Sequence, residues 1–152
     1  MNQQVQARPC WTLLANKAQE QAEQIRQEMV QAKQRQQQLE SSQQRLQGMY
    51  EEYREQLNRP GSHSQGMREA MSQRQFMSQL LTLLERVSTD LGYTRNLLLA
   101  YRARLIDVEK ERLKMESLAE KNEAELQQHA RRQEQRRMDE LGVLKFNQRA
   151  VS

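Results

Sequence analysis

The chain has 152 residues, of which 36% are hydrophobic and only 5% are aromatic, so it lacks the side chains to fill a multilayered core. Charged residues make up 29% with both signs interspersed, the formal net charge is +4, and glutamine recurs in runs. This composition fits either disorder or long solvated helices with a narrow apolar stripe. The basic residues are not interleaved with aromatic ones, so no nucleic-acid partner is expected.

The N-terminal residues argue against a secretory signal peptide. Met1–Val5 contains no apolar run of the kind found in signal peptides, and no stretch of the chain approaches the ~20 apolar residues that span a bilayer. Cys10 is the single cysteine, so no intrachain disulfide can form and a reducing compartment is expected. We therefore expect a single soluble, cytoplasmic domain over 1–152, with flexible ends at 1–10 and 142–152.

A heptad pattern predicts a first helix over about residues 12–57. Steps of four and three residues from Trp11 define a set of fourteen positions, here called the first seam, of which twelve are apolar or aromatic. A 3.5-residue repeat of this length indicates a coiled coil, because it keeps one narrow stripe facing a partner helix. The first seam comprises Trp11, Ala15, Ala18, Ala22, Ile25, Met29, Ala32, Gln36, Leu39, Gln43, Leu46, Tyr50, Tyr53 and Leu57.

A loop is predicted at 58–66, where one of the two prolines and two of the five glycines fall. After it the repeat returns and predicts a second helix over about residues 70–140. This second seam has fifteen positions, of which twelve are apolar. They are Met77, Leu80, Leu84, Val87, Leu91, Thr94, Leu98, Tyr101, Leu105, Val108, Arg112, Met115, Ala119, Asn122 and Leu126.

A short connection makes the two seams antiparallel neighbours. The predicted fold class is all-α, a long antiparallel two-helix coiled coil (a helical hairpin) with a loop or short-helix cap at about 58–75. Two arrangements fit this prediction. A tight turn would place residue 12 near 112 and leave the C-terminal third of the second helix as an overhang. A cap of short helices, with a break near Gly92, would give two arms of equal length.

The sequence gives no sign of catalysis. His63 and His129 are far apart, and each lacks a nearby cysteine or second histidine. No phosphate-binding glycine loop, nucleophile elbow or zinc-ligand spacing is present, and Cys10 is interpreted as a bystander thiol. We therefore predict no catalytic residue, no cofactor and no metal site.

Residues 76–87 contain more apolar side chains than the second seam requires. The set Phe76, Leu80, Leu83 and Val87 has its own four-three-four spacing to one side of the seam. One interpretation is local packing against a cap under the loop. The other is an exposed patch that docks on a partner protein.

The stretch from Arg131 to Leu141 is Arg-rich, and the seam fades there. A solvated helix end, with cations favourably placed near its C-terminus, would explain it. A guanidinium cluster on an unpaired helix also suits insertion into an acidic channel.

Four stretches of the chain resemble the flagellar FliJ family, a coiled-coil stalk and chaperone-escort component of the bacterial flagellar type III export apparatus. The last of them, ending in Met138-Asp139-Glu140-Leu141, is the most specific. The matching stretches are Leu13-Leu14 with Ala18 and Glu20–Ala22, Glu52-Tyr53-Arg54 with Leu57-Asn58, Gln75-Phe76 with Leu80 and Val87, and Gln135–Leu141.

The resemblance implies a fold like the stalk of rotary ATPases and three kinds of partner. Paired helix termini would enter the ring of the hexameric export ATPase, the middle region would contact the cytoplasmic domain of the export-gate protein, and the chain would escort export chaperones. It would act at the cytoplasmic face of the inner membrane, held there through its partners only. The implied gate-binding residues are Phe76, Leu80, Leu83 and Val87, and the implied ring-binding residues are Trp11, Leu14, Arg132, Arg136, Arg137 and Met138.

The chain also departs from the family pattern. Met1–Cys10 precedes the usual start, Leu141 stands where phenylalanine is common, and the tail Gly142–Ser152 does not follow the usual ending. Two alternatives to the flagellar stalk remain at this point: the equivalent stalk of a virulence-type secretion system, and a coiled coil with a purely structural, dimerising role.

Overall fold

The computed structural model describes residues 8–59 and 66–151. These residues form two helices, α1 (Pro9–Asn58) and α2 (Met67–Val151), which pack against each other, and the described ranges contain no strand. The predicted all-α helical hairpin is confirmed. Most of the predicted loop, residues 60–65, lies outside the described residues, as do residues 1–7 of the N-terminal end.

Local sequence explains where the helices begin and end. Pro9 occupies the first position of α1, where its fixed φ suits a helix and its missing N–H leaves no bond unmade. The helix ends at Asn58, two residues before Pro60, because a residue that precedes proline disfavours the α conformation. At the start of α2 the carbonyl of Gly66 accepts bonds from the amides of Glu69, at 3.1 Å, and Ala70, at 3.2 Å.

α2 runs without interruption through both positions where the sequence suggested an end. It is continuous from Met67 past Gly92, so the cap of short helices with a break near Gly92 is not formed. It also continues through Gly142 to Val151, beyond the predicted limit of about 140. A glycine in a helix interior costs only about 0.5–1 kcal/mol, which the flanking helix formers offset.

The two seams account for the packing. All fourteen positions of the first seam and all fifteen of the second are buried or half-buried, including the polar members Gln36, Gln43, Arg112 and Asn122. The side chain of Thr94 is buried, and its Oγ1 donates a hydrogen bond to the carbonyl of Asp90 at 2.9 Å. The 3.5-residue repeat alone therefore identifies the face that each helix turns towards its partner.

The chain divides into two compact units, residues 1–23 with 106–152 and residues 24–105. In the second of these, here called the 24–105 unit, the core consists of Ile25, Ala32, Leu80, Leu91 and Leu98 together with Thr94. The helices are antiparallel, since Glu40 pairs with Arg95 while Tyr53, further along α1, packs against Phe76, further back along α2.

The other unit, residues 1–23 with 106–152, has a core of small side chains from α1, namely Ala15, Ala18 and Ala22. The amide of Arg8 donates to Oδ1 of Asn122 at 3.0 Å, and Thr12 lines a cavity with Ala119 and Asn122. Residue 12 therefore lies beside residues near 120 rather than 112. Every residue of α2 from Arg131 to Val151 is exposed, so this end of the helix has no described packing partner.

Candidate protein-interaction sites

The four predicted gate-binding residues lie close together near the start of α2 but differ in exposure. Leu80 is only 3% exposed and belongs to the core of the 24–105 unit. Phe76 is half-buried, with its ring centroid 4.7 Å from that of Tyr53 and the rings inclined at 41°. Val87 is half-buried, whereas Leu83 is 44% exposed.

Heptad position explains this difference. Leu80 and Val87 occupy second-seam positions, so their side chains face α1. Phe76 immediately precedes the seam residue Met77, and Leu83 immediately precedes the seam residue Leu84. Phe76 and Leu83 are therefore one heptad apart. They therefore form a row along one edge of the helix pair. The surface available to a partner consists mainly of Leu83 and the outer part of Phe76, while Leu80 supports it from below.

The tilted contact between Tyr53 and Phe76 was not identified from the sequence. Offset or tilted ring pairs at this separation contribute about 0.5–1.5 kcal/mol beyond their buried area. Tyr53 is a first-seam residue, so it holds the Phe76 ring against α1 and limits its rotation. The sequence did indicate that such a contact could form, because Tyr53 lies shortly before the predicted loop and Phe76 lies shortly after it.

The predicted ring-binding residues fall into two separate sets in the unit formed by 1–23 and 106–152. Trp11 is half-buried and Leu14 is exposed, both in the first turns of α1. The start of α1 lies beside Asn122. Arg136 is fourteen residues further along α2, or roughly 21 Å at the helical rise of 1.5 Å per residue. The structure therefore does not bring the two sets together.

The second set is fully accessible. Arg132, Arg136, Arg137 and Met138 are all exposed on the unpacked part of α2. Arg132 and Arg136 are four residues apart and share a face, while Arg137 and Met138 point to other sides. The cations are thus spread around the helix, an arrangement suited to a partner that surrounds it.

Beyond Met138, α2 exposes several large apolar residues, all but the first of which the sequence assigned to a flexible tail over 142–152. They are Leu141, Val143, Leu144 and Phe146. Leu141 and Leu144 are three residues apart and share one face, whereas Val143 and Phe146 share another. These residues have a defined spacing because the segment is helical. The sequence did not predict this part of the helix, because Gly142 suggested that the helix ends there.

The one perturbed titratable group that the described residues show is Arg112, a cation in the second seam. Its guanidinium donates to Oε2 of Glu109 and to Oε1 of Glu116, both at 2.7 Å. These bonds, that to Glu109 first, raise the pKa of Arg112 above its ordinary value. A raised pKa keeps the Arg112 guanidinium cationic at every pH below that ordinary value, so it remains a charged donor to both carboxylates at neutral pH.

The described residues contain no cluster of three or more His, Cys, Asp or Glu side chains that could bind a metal ion. His63 lies outside the described ranges, His129 is half-buried, and Cys10 is exposed. Neither helix, within the residues described, has an apolar window that could cross a membrane.

Comparison with protein-family models gives a match. A protein-family model described as "FliJ: Flagellar FliJ protein" matches residues 12–150. The comparison found no significant match among curated proteins and none among solved structures.

Proposed function

Since this chain belongs to the flagellar FliJ family, and is therefore a coiled-coil component of flagellar type III protein export, we propose that it acts as a rotor-like stalk in the ring of the export ATPase. The observation that carries this proposal is the exposed end of α2. A single helix with cations on several sides can be enclosed by a ring, and guanidinium groups bind carboxylates in two-point contacts.

The stalk proposal concerns binding and needs no bond chemistry from this chain. An asymmetric helix inside a ring contacts its subunits unequally and so biases their conformations. Arg132, Arg136, Arg137 and Met138 form the main contact set. Trp11 and Leu14 would contact the ring only if it also reached the start of α1, roughly 20 Å away along α2.

The experiment adds the purified protein to its cognate export ATPase and measures hexamer formation and ATP hydrolysis. Both should increase with the wild-type protein, and the increase should be lost with Arg136→Glu/Arg137→Glu. A matched control, Lys110→Glu/Lys114→Glu, makes the same charge change on exposed positions of α2 outside the contact set. The stalk proposal fails if the wild-type protein has no effect, as a purely structural coiled coil would.

A second part of the proposal places the export-gate contact at the edge formed by Phe76 and Leu83. What supports it is the accessibility of Leu83, together with the fixed position of the Phe76 ring against Tyr53. A preformed apolar edge can bind without the entropic cost of ordering side chains. Leu80 and Val87 contribute by holding α2 in place.

Single substitutions separate docking from stability. Leu83→Ala should weaken binding to the gate's cytoplasmic domain about tenfold, the loss expected for a large side chain central to an interface, with unchanged helical content. Leu81→Ala removes an equally exposed leucine outside the edge and should leave binding unchanged. Equal weakening by both variants, or a loss of helicity with Leu83→Ala, would contradict the assignment.

The third part of the proposal is escort of export chaperones at the cytoplasmic face of the inner-membrane export apparatus. Family membership supports this part, and we assign no residues to it. Purified chaperones that form no complex with the full chain in size-exclusion chromatography would contradict it.

A further inference from the structure

The 24–105 unit contains a strongly basic band that none of the proposed contacts uses. Over residues 24–38 of α1 and 92–105 of α2 there are six cations and a single carboxylate, that of Glu28. The band therefore has a net charge of +5, more than the +4 of the whole chain. The cations are Arg26, Lys33, Arg35, Arg95, Arg102 and Arg104.

Within this band one side of the helix pair forms a groove. Its floor is apolar, made by Met29, Leu98 and Leu105, and Arg26, Val30, Lys33, Gln36 and Arg102 complete its lining. Val30 is 57% exposed. Apolar residues from both helices thus meet at a surface that solvent reaches.

Two rows of residues, one on each helix, have the same pattern, and the groove is lined by the whole of the first row and by Arg102 of the second. On α1 the row is Arg26, Val30 and Lys33, and on α2 it is Arg95, Leu99 and Arg102. Each row has a cation, an apolar residue and a cation at spacings of four and three, so its members share one face of their helix. The outer apolar residue of the second row, Leu99, is 61% exposed.

The ion pair between Arg95 and Glu40 places the two rows on the same side. Glu40 follows Lys33 by one heptad and so lies on the same edge of α1. Nη2 of Arg95 is 3.6 Å from Oε1 of Glu40, which brings the second row to that edge. Neither Lys33 nor Arg102 forms an ion pair with another residue in the described ranges.

We propose that this groove binds an acidic amphipathic helix of a partner protein, with the helix's apolar ridge on Val30 and Leu99 and its carboxylates on Lys33 and Arg102. Exposed apolar residues are common singly, but here they lie between cations in two facing rows. This surface is independent of the stalk and gate contacts.

The test uses the full chain and a fluorescent synthetic helix with a leucine ridge flanked by glutamates. Binding is measured by anisotropy. Lys33→Glu/Arg102→Glu should weaken it about tenfold or more, because it turns two attractive contacts into repulsive ones. The control Arg35→Glu/Arg104→Glu makes the same charge change in the same band. Lys33 and Arg102 each follow a seam residue, whereas Arg35 and Arg104 each precede one. This control should weaken binding less than about threefold, because it changes only the long-range electrostatic attraction between the band and the acidic helix.

A second pair of variants tests the apolar contact. Val30→Ser/Leu99→Ser should also weaken binding about tenfold, as expected when two apolar anchors are removed, whereas Leu13→Ser/Leu113→Ser, at exposed positions outside the band, should not. Circular dichroism should show equal helicity for all variants.

Three results would overturn the proposal. The first is equal weakening by the two charge-reversal pairs, and the second is equally tight binding of a synthetic helix whose ridge is serine instead of leucine. The third is displacement of the helix by phosphatidylglycerol vesicles or duplex RNA at comparable concentration, which would mean that the band attracts any polyanion.

Discussion

At the scale of single residues, the central fact is that few side chains are deeply buried. Leu91 is 2% exposed and is one of the two largest side chains that are fully buried. In a two-helix structure each such residue contacts only its own helix and one neighbour, so there is no second layer to compensate for its loss.

Leu91→Ala should therefore lower the free energy of unfolding by about 2–5 kcal/mol, the range for buried leucines. The measurement is urea denaturation followed by far-UV circular dichroism. Leu99→Ala, at an exposed position eight residues later, should change it by less than about 0.5 kcal/mol. Similar losses from the two variants would mean that Leu91 does not face α1.

Thr94 offers a second residue-scale prediction. Its hydroxyl is buried and donates to the carbonyl of Asp90, which as an i−4 helix carbonyl already accepts a backbone bond. Removing the hydroxyl leaves no polar group unpaired, so Thr94→Val should be neutral or stabilise the protein by up to about 1 kcal/mol. Thr94→Ala, which leaves a void, should destabilise it. Urea denaturation of both variants gives the free energies of unfolding to compare. A clear decrease with valine would show that the hydroxyl has another hydrogen-bond partner.

Residue exposure was only partly predictable. The sequence grouped Leu80 with Leu83, since both belong to a set with regular spacing, but Leu80 also belongs to the second seam and is therefore buried. The basic band was not predictable from a linear scan. Arg26 and Lys33 are far from Arg95 and Arg102 in sequence, and only antiparallel pairing brings the two rows together.

At the scale of the helices, the seams were predicted almost completely. One repeat determined which face of each helix packs, because a two-helix coiled coil has only that one interface to satisfy. The ends were less predictable. Gly92 and Gly142 suggested a break and an end, yet α2 passes through both, since a glycine lowers helix stability without forbidding the conformation.

Gly92→Ala tests this interpretation of α2. A Cβ added at Gly92 meets no atom within 4 Å, so the substitution introduces no clash and removes the entropic cost of glycine. The free energy of unfolding should rise by about 0.5–1 kcal/mol, measured by urea denaturation. Gly48→Ala, equally unobstructed in α1, should behave alike. Destabilisation at 92 alone would indicate a non-helical backbone there.

At the scale of the whole molecule, stability is unevenly distributed. Residues 131–151 are helical but entirely exposed, so their helix is supported by local bonds and propensity alone. Most of the stability of a helix in a protein comes from the packing of its apolar face, and this segment has no such packing within the described residues. By contrast, residues 91–98 combine the buried side chains of Leu91, Thr94 and Leu98.

Hydrogen exchange should therefore separate the two regions. Backbone amides over 131–150 should exchange at least ~100-fold faster than those over 91–105, because local opening needs far less free energy than separation of the helix pair. Mass spectrometry of peptic fragments gives the comparison. The proposed binding of the export ATPase should slow exchange in 131–150, whereas equal protection in the free protein would show that this end is already packed.

The antiparallel pairing of α1 and α2 has a consequence for the order in which the protein folds. Arg8 and Asn122, which are hydrogen-bonded, are separated by 114 residues, whereas only the loop and its flanking turns separate Tyr53 from Phe76. Closing a longer loop of unfolded chain loses more entropy, so contacts next to the turn should form first and shorten the loops that later contacts must close. Folding should thus proceed as a zipper from the Tyr53–Phe76 contact, with the pairing of Arg8 and Asn122 the last to form and the first to open.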